Sequence, residues 1–132
     1  MRSIIVLITL AAALLATPAA AFDLNAYRAQ HRLPPLAMSA TLAGLASEHA
    51  YDMARRNHLD HNGYRLRLSF AGGTAAENVA WGCSTADCAY RLWTRSAGHR
   101  RNMLMKGITK YGLASATGAN GRTYWVLELG TK

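Results

Sequence analysis

The side chains able to do chemistry in this 132-residue chain lie in three short words. They are His-Leu-Asp-His-Asn-Gly at 58–63, Ala-Glu-Asn-Val-Ala-Trp-Gly at 76–82, and Trp-Thr-Arg-Ser-Ala-Gly-His-Arg-Arg-Asn-Met-Leu at 93–104. None forms a common catalytic or binding signature: the HExxH, GxSxG and CxxC patterns, the P-loop glycines and the EF-hand acid ladder are all absent. Ser96 and His99 stand three residues apart, a spacing that puts a nucleophile and a base on one helix face, with no third group evident to orient the imidazole. His49 falls on the apolar stripe of a helix and reads as a core histidine whose ring is satisfied by hydrogen bonds.

The elements that must position these residues follow from apolar spacing and from breakers. Ile4 to Leu15 is an apolar run behind Arg2, interrupted only by Thr9, and Pro18 and Ala19-Ala20-Ala21 complete a small-x-small cleavage pattern. This reads as a secretory signal peptide over residues 1–21, too short to span a bilayer, which leaves one soluble domain over 22–132. A first helix is expected from Leu24 to Arg32, ended by Pro34-Pro35. Ser39 caps a second, amphipathic helix running to about Asn57. Residues 58–76 read as irregular, with a helical piece near Arg65 to Phe70. Ser84 and Asp87 form a capping box for a further helix, with Gly98 breaking or bending it and another turn at His99 to Met105. Tyr111 to Thr117 and Arg122 to Leu129 read as a hairpin around Gly118-Ala119-Asn120-Gly121. In an oxidising compartment Cys83 and Cys88 pair as a disulfide, standing where a hydrophobic staple joins a helix to its entering segment.

Composition limits the partners. Lys and Arg total 15 against 7 Asp and Glu, a formal net charge of +8. That excess asks for an acidic partner. Nucleic acid is excluded by compartment and by the lack of any reading element.

Read in order, five segments resemble the CAP superfamily of cysteine-rich secretory, antigen 5 and pathogenesis-related 1 proteins, in its bare bacterial form. They are residues 24–36, 45–63, 76–82, 93–104 and 111–130, the last carrying the closing hairpin. The resemblance implies an α+β fold, a three-layer α-β-α sandwich with a central antiparallel sheet. It also implies a cavity lined by two histidines and, in the fullest form, two glutamates, with zinc held by the histidines in some members. By residue matching His61 and His99 take the histidine positions and Glu77 the first glutamate. Ser96 stands where the second glutamate would be.

Two imidazoles and a carboxylate make an open zinc site with water in a remaining position. Glu77 could instead orient an imidazole from behind, or Glu77 and Asn78 could merely satisfy backbone groups while His99 caps a helical turn. Asn102 resembles a polar residue after the second histidine and reads as locally hydrogen-bonded; His31, His49 and His58 have no matching role. Arg100 and Arg101, with Arg65, Arg67, Arg91 and Arg95, could form a positive rim suited to phosphate or carboxylate ligands.

The function expected is a periplasmic or secreted, monomeric, non-enzymatic binding module for a lipid, an anionic envelope polymer or a host ligand. It needs no cofactor, although zinc has two donors. The alternative is a metal-dependent hydrolase, a protease or cell-wall enzyme, with zinc on His61 and His99 and Glu77 as general base.

Overall fold

The computed structural model describes residues 19–132. The assigned signal peptide therefore lies outside the described residues, apart from Ala19, Ala20 and Ala21. Asp23 opens α1 (Leu24–Gln30) by accepting from the backbone N–H groups of Asn25 and Ala26. A two-residue strand, β1 (Ala37–Met38), follows the proline pair. Ser39 caps α2 (Ala40–Arg56) through the Leu42 N–H, and Asn57 ends it in the left-handed conformation at φ 51°, both where expected. Then come α3 (Tyr64–Ala71), β2 (Ala76–Trp81), α4 (Ala86–Thr94) and α5 (Ala97–Met103). The hairpin of β3 (Lys110–Thr117) and β4 (Thr123–Gly130) closes the chain.

The strands lie in the order β1-β3-β4-β2. The β3–β4 and β4–β2 pairs are antiparallel, and only the short β1 runs parallel to its neighbour β3. The sheet is thus antiparallel except at one edge, where β1 runs parallel to β3, reached after an excursion through α2, α3, β2, α4 and α5.

Alternation along the strands divides the sheet into two faces. One carries Ala114 and Ala116 of β3, Tyr124 and Val126 of β4 and Val79 of β2, packed on Ala46, Ala50 and Met53 of α2. The other carries Leu127, Leu129, Ala76 and Ala80, packed on Leu24 of α1, Tyr90 and Trp93 of α4 and Met103 of α5. This is the α-β-α sandwich. On the α2 side the approach is closest at Gly112, where a Cβ would stand 2.1 Å from the Ala43 nitrogen and 2.3 Å from the Leu42 carbonyl carbon.

Three local expectations need correction. Thr85, not Ser84, caps α4, accepting from the Cys88 N–H at 3.2 Å. Asp87 does not reach back to the cap: it accepts from Phe22 N–H at 2.5 Å and from Arg91. The Cys83–Cys88 disulfide is present, but it joins the second residue before the cap to the third helical residue, one register along from a staple. The helix break falls at Ser96, and Gly98 lies inside α5. β2 escapes periodicity altogether, because Ala76 to Ala80 are buried on both faces.

Candidate functional site

β2 is an edge strand, and the site is built around it. Its outward carbonyls are covered by side chains from the α4–α5 layer. Trp93 Nε1 donates to the Val79 carbonyl at 3.0 Å, and Asn102 Nδ2 to the Glu77 carbonyl at 3.3 Å. Successive β2 side chains then leave in opposite directions. Glu77 points to the α2 side and Asn78 to the α5 side.

On the α5 side Asn78 is fully buried. Its Nδ2 donates to the His99 carbonyl at 3.0 Å, and its Oδ1 accepts from Asn102 Nδ2 at 2.9 Å. Asn102 is therefore bonded across the fold to β2, not locally. Together they fix the backbone that carries His99. The His99 Nδ1 is buried without a protein partner. Burial, followed by the charge of His61, lowers the His99 pKa and keeps the ring neutral. Ser96 occupies the cap position of α5 and makes no side-chain capping bond. No hydrogen bond joins the Ser96 hydroxyl to the His99 ring.

On the α2 side the loop bearing His61 is tied down at both ends. Arg56 forms a two-pronged bond to Asp60, at 2.8 and 3.1 Å. This pairing is the main reason the Asp60 carboxyl is held down at about 2. The Asp60 carbonyl accepts from His49 Nε2 at 2.8 Å. His49 is buried, burial lowers its pKa, and a neutral ring fits the core role read from its position. Past the histidine, Arg67 Nη1 donates to the Asn62 carbonyl at 2.6 Å, and Gly63 turns the chain into α3 at φ 74°.

His61 is half exposed, and its Nδ1 lies 2.6 Å from Oε1 of a fully buried Glu77. The other oxygen, Glu77 Oε2, accepts from Arg67 Nε at 2.6 Å. The same Nε lies 3.1 Å from Glu128 Oε1. Glu128 is the direct cross-strand partner of Glu77 between β2 and β4, and like Glu77 it is buried. Two carboxylates facing each other in a core with one guanidinium between them cannot both stay ionised at low cost. Burial, then the hydrogen bond and charge of Glu77, raise Glu128 to about 9. Burial also pushes Glu77 upward, but the hydrogen bonds from Glu128, Arg67 and His61 outweigh it and hold Glu77 below its ordinary value. The two shifts run in opposite directions, so a proton held by the pair is favoured on Glu128 and the charge on Glu77, beside the Arg67 guanidinium.

Arg67, expected on a solvated rim, is instead buried behind Glu77. Sequence reasoning misses this role of Arg67 and misses Glu128 altogether. The available signal is an acid inside an otherwise apolar strand, Tyr-Trp-Val-Leu-Glu-Leu. Of the remaining rim, Arg91 pairs with Asp87 at 2.8 Å. Arg100 and Arg101 are exposed, and Arg100 donates to the Thr94 carbonyl at 3.1 Å. A groove of about 540 Å³ opens beside His61, lined by Asn62, Gly63, Tyr64, Arg65 and Leu66. A cleft of about 570 Å³ at Phe22, Tyr90 and Tyr111 contains no imidazole.

Each oxygen of the buried Glu77 already accepts a hydrogen bond, one from His61 and one from Arg67, so it orients the His61 ring from behind. Among the described residues no group of three or more His, Cys, Asp or Glu is arranged to hold a metal ion. The donors that remain are the two imidazoles. Two imidazoles, one with a carboxylate behind it, are ligand types that zinc takes, but they fall short of the three protein ligands of a hydrolytic centre.

The chain is 33% identical over 97 residues to the uncharacterised YkwD protein of Bacillus subtilis, a match covering 67% of this chain and 38% of that protein. The fold is similar to an outer surface protein of Borrelia burgdorferi, with a TM-score of 0.73 at 17% identity, covering 83% of this chain and 86% of that one. It is also similar to an extracellular protein of Bacillus anthracis containing an SCP domain, with a TM-score of 0.67 at 30% identity, covering 83% of this chain and 38% of that one. The family model for the cysteine-rich secretory proteins matches residues 23–129, a span that takes in both histidines, Glu77 and both layers of helices around the sheet, and the chain belongs to the CAP family.

Proposed function

We propose that the protein is an extracytoplasmic binding domain, not an enzyme, that takes an anionic lipid or envelope polymer at the groove beside His61, with Arg100 and Arg101 engaging the ligand's negative groups. One observation carries the reading: the acid bonded to His61, Glu77, is held between His61 and Arg67, and no hydrogen bond joins Ser96 to His99. The polar residues are arranged to hold ring positions, and no free general base accompanies them. The groove supports a ligand with both an apolar and a charged part, since Leu66 and Tyr64 line it beside Arg65. The apolar, cleavable-looking start of the chain supports delivery across a membrane, and no helix among the described residues is long and apolar enough to cross one. Two of the similar proteins bear names that place them outside the cytoplasm.

Zinc, if carried, would rest on His61 and His99, with Glu77 holding the His61 ring. When bound it would supply a positive centre for a phosphate or carboxylate group. Calorimetric titration with zinc is expected to show one site that His61→Ala and His99→Ala each abolish; unchanged affinity in both variants removes the metal.

Co-sedimentation with vesicles containing an anionic phospholipid, and separately with lipopolysaccharide, tests the binding role. Each surface arginine contributes about 1 kcal/mol at such a surface. The double substitution Arg100→Ala, Arg101→Ala should therefore weaken binding about thirty-fold. No binding by wild type to either target, or equal binding by the double variant, would sink the proposal.

A further inference from the structure

We propose that Arg67 and Glu128 are positioning residues for His61: through Glu77 they hold the ring as its Nδ1–H tautomer, with the Nε2 lone pair left free for the groove. The site as matched to the family contains neither residue. The donors and acceptors of the cluster can be counted one by one. Glu77 has one oxygen toward His61 and one toward Arg67. Arg67 Nε is shared between Glu77 and Glu128, and its Nη1 is fixed on the Asn62 carbonyl. Glu128 Oε1 accepts from Arg67, while Glu128 Oε2 is buried with no donor to accept from, and Arg67 Nη2 is buried with no acceptor.

An ionised Glu128 would leave that oxygen an orphan acceptor beside a second negative charge, whereas a protonated Glu128 can donate to its cross-strand partner, the Glu77 carboxylate. The acid thus satisfies the carboxyl side of the cluster and keeps the charge on Glu77, while Arg67 Nη2 still lacks an acceptor. A charged Glu77 at 2.6 Å from His61 Nδ1 can only accept, so the proton between them belongs to the ring. In its neutral form the ring then has one nitrogen free, and Tyr64 braces it edge-on at 5.7 Å between ring centres. Arg67 also draws in the loop it orients, because its Nη1 contact lies one residue past His61.

This deepens the reading of His61 as the ring that meets a ligand, and its test needs no ligand, so the two can fail separately. The full domain, labelled with 15N-histidine, is examined at pH 8 by long-range proton–nitrogen correlation, with the His61 signals assigned from their loss in His61→Asn. Wild type should show a protonated Nδ1 and an unprotonated Nε2. Glu128→Gln should preserve that pattern, because its amide donates to Glu77 as the acid does while its carbonyl still accepts from Arg67. Glu128→Ala and Arg67→Met should shift the ring toward the Nε2–H form that an unpartnered imidazole favours. A residue with only a packing role would not separate Gln from Ala in this way. The proposal is overturned by an Nε2–H ring in wild type, by loss of the pattern in Glu128→Gln, or by a pattern unchanged in folded Glu128→Ala and Arg67→Met. Should those last two variants not fold, the wild-type and Gln spectra decide it.

Discussion

At the residue scale the buried pairing of Glu77 with Glu128 is a charge conflict that makes stability depend on pH in a defined direction. Glu128 is raised from an ordinary 4.5 to about 9 by burial and by Glu77. A group raised in the folded state contributes stability that is complete below its unfolded pKa and is lost as pH rises through the folded value. The Glu128 contribution to stability should therefore fall between about pH 4.5 and about pH 9, by at most about 1.4 kcal/mol per pH unit for the single proton involved, against the opposite trend of the buried His49 and the half-buried His99. Glu77 works the other way: its contribution is present above the ordinary carboxyl value and is lost as pH drops below it. Urea denaturation of wild type and Glu128→Gln across pH 5–9 should show the variant gaining relative stability steadily as pH rises. Parallel curves would mean that Glu128 is already ionised in the folded protein.

The sequence revealed His61, Glu77 and His99 because each lies in a distinctive word. It hid Arg67, which alternates with Arg65 in a polar-looking stretch, and Glu128, which meets Glu77 only through strand register. A register contact of this kind has no local trace in the chain.

At the element scale, the legible parts were those with punctuation. Ser39 and Asn57 mark the two ends of α2, and the Gly118–Gly121 turn marks the hairpin. β2 was illegible as a strand because burial on both faces removes the alternation that identifies one. The α4 cap was misplaced by one residue because Ser84 and Thr85 are chemically equivalent candidates, and the chain chose the one whose backbone is extended, at φ −133°. Gly112 illustrates what element packing demands beyond pattern. The helix backbone of α2 lies over it at a distance no side chain tolerates. Gly112→Ala should push α2 away from the sheet and cost about 1–3 kcal/mol, the usual penalty of overpacking. Chemical denaturation should register that loss with the slope unchanged. A neutral result would show that α2 can slide without loss.

At the scale of the whole molecule, charge and architecture answer different questions. The net charge of +8 is not a uniform coat. Arg28 and Arg67 are buried, Arg56 is clamped between Asp52 and Asp60, and Arg91 is paired with Asp87. Arg28 serves as internal mortar: it donates to the carbonyls of Pro34, Met103 and Met105, joining the exit of α1 to the C-terminal end of α5. The cationic surface left for a partner is correspondingly smaller and more localised than composition alone implies.

The two histidines have separate anchorages. His61 is fastened to the α2 layer through Asp60 and Glu77, and His99 to the opposite layer through Asn78. The edge strand β2 is the seam between them. A molecule that grips both rings is thereby fastened to both cores at once, like a rivet through two plates. Whatever holds the rings together also resists the parting of the layers, so occupancy of the site and survival of the fold become a single equilibrium.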